Sequence, residues 1–369
     1  MSEFFIGLMS GTSADSIDAA LIDLSKNEIK SLGTYSHPIP EEIKNSIYES
    51  VNSENLETKN LIQLDIKLGE IFSEAVNEIL IQEGISSKSI EAIGSHGQTI
   101  KHSPDSAEPF SLQIGNAQIL ANSTGIKTVS NFRSDDILAG GQGAPITPVF
   151  NENVFISERK TVIINLGGIA NITILGPKIS TLGYDTGPAN CLLDSWARKN
   201  KIGSYDEGGN WALSGTINKN LLSLMLENNY FKKPYPKSTG PDFFNLEWVE
   251  SIVKTSQENP SSENLQATLL ELTVQSLHLQ LMSLDIQEDD DVFFCGGGIH
   301  NRFLMKRIKE VTGLGSRTTS QIGVDPDYLE AISFAWFACQ RIKKRKFDLS
   351  KITGSKAEVF LGVITEPVR

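Results

Sequence analysis

The chain has 369 residues, with 33 Lys plus Arg against 45 Asp plus Glu and a formal net charge of -12. That length sets an expectation of about two domains, and an acidic surface repels nucleic-acid phosphates and anionic bilayers alike. Composition therefore argues against nucleic acid and membrane as partners, but not against a nucleotide, because a phosphate site needs local backbone donors rather than net charge.

Strand and helix signals alternate along the chain, which is the pattern of an α/β fold. Phe4 to Met9 reads as a buried strand, and Ala19 to Leu24 as a second one joined to it by a short polar turn, hence a hairpin. Leu61, Leu64, Leu68, Phe72, Val76 and Ile79 fall at helical spacing. Ile90 to Ile93 and Thr128 to Phe132 read as further strands. The stretch Ser130 to Pro148 is dense in Gly and Pro and suits a domain junction or a binding loop. The cycle then restarts, with a strand at Thr161–Leu166, a turn at Gly167-Gly168 and a returning strand from Asn171 to Leu175. This is a duplicated architecture, one hairpin per domain. A long helix is expected at about 263–284, then a strand running into Gly296-Gly297-Gly298. A last helix is expected to open at Asp325-Pro326. Cys191, Cys295 and Cys339 are too few and too scattered for a disulfide framework or a metal cluster. The apolar patch after Glu3 is too short for a signal core, and no run approaches the roughly 18 apolar residues of a membrane span. A soluble, cytoplasmic protein is expected.

Five places carry candidate chemistry. Ser10 to Asp18 follows a strand, and its small and hydroxyl residues can expose backbone N–H groups to phosphate oxygens. Asp15 or Asp18 would then hold Mg²⁺, an ion that takes oxygen ligands, although an ordinary polar hairpin explains this turn as well. Asn165-Leu166-Gly167-Gly168 is its counterpart, where paired glycines permit close backbone approach. Asp185, in GYDTGPAN, precedes a Gly-Pro turn and an expected helix from Ala189. It is either a carboxylate base kept ionised by the helix N-terminus or an ordinary N-cap. Gly296 to Gly298 leave a buried strand and would let an adenosine lie against the backbone, or they simply make a tight loop. Glu330 lies in the first turn of the last helix, and Ala331 and Ala335 suggest a close helix–helix approach. His96 and His102 lack a metal partner at helical spacing and read as structural or pocket-lining groups.

Taken in order, GLMSGTSADSID, GSHGQTIKH, QIGNAQILA, NFRSDD, GGQGAPITP, INLGGIANIT, GYDTGPAN, PKSTG and CGGGIHN resemble the anhydro-N-acetylmuramic acid kinase family, over about residues 5–345. The resemblance implies a two-domain actin-like ATPase fold, a duplicated ribonuclease H-like architecture with an interdomain active-site cleft. Domain I is expected at 1–131 plus about 345–369, and domain II at 132–344. It further implies an ATP- and Mg²⁺-dependent kinase acting on an anhydrosugar, a homodimer, and a role in recycling cell-wall sugar. On the family pattern ATP falls on Gly11, Thr12, Ser13, Ala14, Asp15, Ser16, Ile17 and Asp18, on Asn165, Gly167 and Gly168, and on Gly296, Gly297 and Gly298. The base falls on Asp185, and the sugar on Arg133, Glu330 and His96. The chain departs from the pattern at Ser16, where the family has Gly, and at Pro241-Asp242, where Arg-Glu follows PKSTG. A kinase of the same fold acting on another sugar is the nearer alternative, and a nucleotide-dependent scaffold the more distant one.

Overall fold

The computed structural model describes residues 3–11, 14–25, 29–53, 55–155, 158–177, 179–287, 290–314 and 317–368. The chain divides into two compact units, Met1–Ile156 with Tyr328–Arg369, and Ser157–Asp327. In chain order the strands of the first unit are β1 (Phe4–Ser10), β2 (Ser16–Asp23), β3 (Lys30–Pro38), β4 (Ile90–Ser103), β5 (Phe110–Ile114) and β6 (Thr128–Ser130). The second unit has β7 (Thr161–Leu166), β8 (Ile169–Gly176), β9 (Ile179–Pro188) and β10 (Asp291–Cys295), and β11 (Val363–Thr365) returns to the first.

Among the described residues the first sheet runs β11-β6-β4-β1-β2-β3, with β5 on β4, and the second runs β10-β7-β8-β9. In each, a leading hairpin is antiparallel and a later strand joins its first strand in parallel: β4 on β1, and β10 on β7. The same order therefore occurs twice, the duplicated arrangement of the actin-like ATPase fold. β7 is buried along its whole length, as a central strand covered on both faces must be. The expected hairpins and the early helix, observed at Thr58–Glu83 with Leu64, Leu68, Phe72, Val76 and Ile79 inward, follow the hydrophobic periods read above. The long helix lies at Ser262–Ser283.

The division falls elsewhere than at 131 and 344, for a packing reason. The helix Leu329–Ile342 lies flat against the first sheet: a Cβ on Gly7 would sit 1.8 Å from the Ala331 carbonyl oxygen, and one on Gly94 2.0 Å from that of Phe334. The small residues at Ala331 and Ala335 thus admit a strand, not a second helix. Phe132 packs at a tilt on Phe334 at 5.1 Å and Phe150 edge-on to Trp336 at 5.8 Å, which draws the 132–155 segment into the same core. The last helix also starts later than expected, because Asp325 accepts the Asp327 N–H at 3.0 Å and closes a local turn instead of capping a helix. No helix among the described residues is long and apolar enough to cross a membrane.

Candidate active site

In the second unit, Cys295, Asn165, Asn171 and Asp185 stand opposite one another across β10, β7, β8 and β9. Directly opposed residues share a sheet face, so a polar row crosses the sheet near its end. The neighbouring row of Phe294, Ile164, Ile172 and Tyr184 turns the other way, into the core. The pairing of β8 with β9 slips between Ala170, which faces Gly187, and Asn171, which faces Asp185. Thr186 is the extra residue of this bulge, a device that re-aims adjacent side chains. Its Oγ1 donates to the Ala170 carbonyl at 3.2 Å. Gly187 beyond it has φ of +153°, and a Cβ there would lie 2.8 Å from the Phe231 ring.

Asp185 is 6% exposed and is tied three times to the segment 230–239. Its Oδ2 accepts the Thr239 N–H at 2.9 Å, its own N–H donates to the Lys237 carbonyl at 3.2 Å, and its carbonyl accepts the Tyr230 hydroxyl at 2.8 Å. It is a strand residue and caps no helix. The helix that follows is Asn190–Lys199, and the amides at its start, those of Ala189, Asn190 and Cys191, donate to the carbonyls of Gly168, Gly167 and Gly168 at 3.0 Å each. An amide that serves the carboxylate is that of Thr239.

The same segment supplies a residue that sequence reasoning passed over. Lys237 is 1% exposed. Its Nζ donates to the Tyr230 carbonyl at 3.3 Å and lies 4.8 Å and 5.7 Å from the Tyr230 and Tyr184 ring centroids. The available signal was a lysine in an aromatic-rich stretch, NYFKKPYPK, the composition of a cation held on ring faces.

The glycines after β10 have distinct roles. A Cβ on Gly296, at φ +80°, would meet Asn165 Oδ1 at 2.2 Å, and one on Gly298 would meet Leu166 Cβ at 2.6 Å, so both are needed for β7 to pass closely. A Cβ on Gly297 meets nothing within 4 Å.

In the first unit the turn between β1 and β2 includes Thr12 and Ser13, which lie outside the described residues. Ala14 takes the positive φ of this turn, 48°, while Ser16 is extended and paired with Pro38 on β3. The Ser16 departure from the family pattern therefore meets no backbone obstacle. Ala14 and Ile17 turn their side chains into the core. Asp15 is paired with the ammonium of Lys44. Asp18 Oδ1 accepts from the hydroxyls of Ser36 at 2.8 Å and Ser16 at 3.2 Å.

Two of the expected sugar residues, Arg133 and His96, meet within this unit. Arg133 Nη2 donates to His96 Nε2 at 2.8 Å, and its Nη1 to Ser111 Oγ at 3.3 Å. Ser111 Oγ is also 3.0 Å from His102 Nδ1. His96 lies 4.8 Å from the Phe334 ring, one helical turn after the half-buried Glu330. Burial first, then the Arg133 charge, holds both histidines neutral: His102 is lowered to about 3 and His96 well below its usual value. Buried Asp136 anchors the glycine-rich loop beyond Arg133, accepting the Gly143 N–H and the Thr353 hydroxyl at 2.7 Å each. This too was unread in the sequence, since Thr353 is distant along the chain.

A doubled hairpin fold, a turn rich in small residues at each hairpin and a buried carboxylate beside the bulge of β9 are features that suit a phosphotransferase of the sugar-kinase class. The family model described as anhydro-N-acetylmuramic acid kinase matches residues 3–367. Curated relatives of that name are similar over nearly the whole length. The Aliivibrio fischeri protein is 42% identical, covering 98% of this chain and 99% of its own. That of Actinobacillus pleuropneumoniae is 40% identical, with 98% of each covered. That of Coxiella burnetii is 41% identical, with 98% and 97% covered. The chain belongs to the anhydro-N-acetylmuramic acid kinase family and is an ATP-using kinase.

Proposed function

We propose that the chain opens the internal 1,6-anhydro bond of 1,6-anhydro-N-acetylmuramic acid with water and places the γ-phosphoryl group of ATP on O6. The products are N-acetylmuramic acid 6-phosphate and ADP. The observation that carries this reading is Asp185, set at the bulge of β9 with Oδ2 on the Thr239 amide.

Asp185 takes a proton from the water that attacks C1, as the base of an inverting glycosidase does. The water oxygen bonds to C1 and the C1–O6 bond breaks. O6 attacks the γ-phosphorus and the bond to the β-phosphate oxygen breaks, so the charge leaving C1 passes to ADP and no second carboxylic acid is required. Such a transfer depends on positioning and on electrostatic stabilisation. Backbone donors of the Gly11–Asp18 turn (Thr12 and Ser13 among them) and of Asn165, Gly167 and Gly168 would serve the triphosphate, with Gly296, Gly297 and Gly298 on the adenosine side. Among the described residues no group of three or more His, Cys, Asp and Glu could hold a metal ion. Asp18 and Asp15 would reach the waters of a Mg²⁺ carried mainly by phosphate oxygens. When bound, the ion neutralises charge on the β- and γ-phosphates.

Arg133 would clamp the lactyl carboxylate of the sugar, a bidentate task that suits a guanidinium. Glu330 lines the sugar site, and His96 acts on it through Arg133. The activity belongs in the cytoplasm, in recycling of cell-wall sugar, with the chain as a homodimer. Light scattering on the purified chain tests the last point.

The alternative, another sugar as acceptor, is favoured by one observation: Pro241-Asp242 replaces Arg-Glu directly after the segment that holds Asp185. Turnover against a panel of anhydro and open sugars, coupled to ADP release, decides between them. The proposal requires anhydro-N-acetylmuramic acid to be preferred, and a preferred open hexose overturns it.

A further inference from the structure

A lysine buried in a protein interior gives up much of its hydration and needs compensation. Lys237 has one carbonyl at 3.3 Å and two phenol rings, and its main chain is joined to Asp185 on both sides: its carbonyl takes the Asp185 N–H, and the Thr239 N–H beyond it holds Asp185 Oδ2. A loop anchor alone would be served as well by an apolar side chain, which would enclose no charge.

We infer that Lys237 is a positioning residue for the base: its enclosed ammonium, on the Tyr230 carbonyl and between the Tyr184 and Tyr230 rings, fixes the segment that holds Asp185 at the end of β9. This rests on the reading of Asp185 as the base. The charged and titratable groups that face the ammonium are Asp185 from β9, Lys233 from the loop before it, and the phenols of Tyr184 and Tyr230. Burial lowers the ammonium to about 8, against the pull of Asp185 and with the push of Lys233. It is charged below that pH and neutral above it, so support for Asp185 fades in mild alkali.

The test is the pH profile of kcat/KM for the full chain, its K237R and K237Q variants and D185N, each checked for a wild-type circular dichroism spectrum and melt. Wild type should show a basic limb near pH 8. K237R, which retains its charge, should keep activity at neutral pH and move that limb upward by more than about one unit. K237Q, which has no ammonium, should lose about tenfold at neutral pH and show no basic limb near pH 8. A wild-type profile flat to about pH 9.5 overturns the inference without any variant. So do folded K237R and K237Q proteins whose basic limb stays where the wild type has it. An active D185N would sink the base assignment itself, whereas an inactive D185N with a flat alkaline limb sinks only the role of Lys237.

Discussion

Arg133 and His96 form a directed pair: the guanidinium donates to Nε2 over 2.8 Å, while Nδ1 of the same ring faces the Gly97 carbonyl at 2.9 Å. The carbonyl fixes the proton on Nδ1, which leaves Nε2 as the acceptor that aims the guanidinium. His96→Ala should therefore raise KM for the sugar about tenfold with a smaller change in kcat. Arg133→Lys, which removes the fork, should raise it further. Steady-state kinetics with the sugar varied at saturating ATP check both.

The same cluster sets acid stability. His96 and His102 have folded-state values far below the 6.5 of a free imidazole. The unfolded chain thus binds protons near pH 6.5 that the folded chain refuses until much lower pH. Stability is full above 6.5 and falls as pH drops toward 3, by on the order of 1 kcal/mol per pH unit for each histidine. Melting temperature measured from pH 7 to 4 should decline steeply, and His102→Gln should flatten the slope.

The three glycines after β10 separate packing from ligand contact. Gly296→Ala places a methyl on Asn165 in a left-handed backbone and should destabilise the chain by about 1–3 kcal/mol. Gly297→Ala meets open space and should leave the melt nearly unchanged while raising KM for ATP. Thermal melts with ATP titrations read both. An unchanged KM in Gly297→Ala removes that residue from the adenosine side.

Asp185→Asn keeps the size and most hydrogen bonds of the side chain but not the base. ATP affinity should be nearly intact and turnover lowered by about 10² to 10⁴, the usual worth of a general base. Calorimetry with a non-hydrolysable ATP analogue and single-turnover rates check the two halves.

The hairpins were legible because Phe4–Met9 and Thr161–Leu166 are unbroken apolar runs bounded by small-residue turns, and the long helices because their apolar residues keep one period. Asp185 was singled out by its motif. What surrounds it was not: the bulge at Thr186 depends on how β8 meets β9, and the Thr239 amide and Lys237 ammonium come from a segment beyond an intervening run of helices. Asp325-Pro326 carried a good helix-start signal, yet Asp325 spends its carboxylate on Asp327. The unit boundary was misplaced for a similar reason. Only packing reveals that Ala331 and Ala335 are small so that Gly7 of β1 can lie against them.

The most direct measurement is turnover in oxygen-18 water with ATP, Mg²⁺ and 1,6-anhydro-N-acetylmuramic acid, the product being fragmented in a mass spectrometer immediately after quenching. The account predicts one heavy oxygen at C1 and an unlabelled O6 carrying the phosphate. A phosphorylated sugar that retains its anhydro ring, or a heavy oxygen in the phosphoryl linkage, would contradict it.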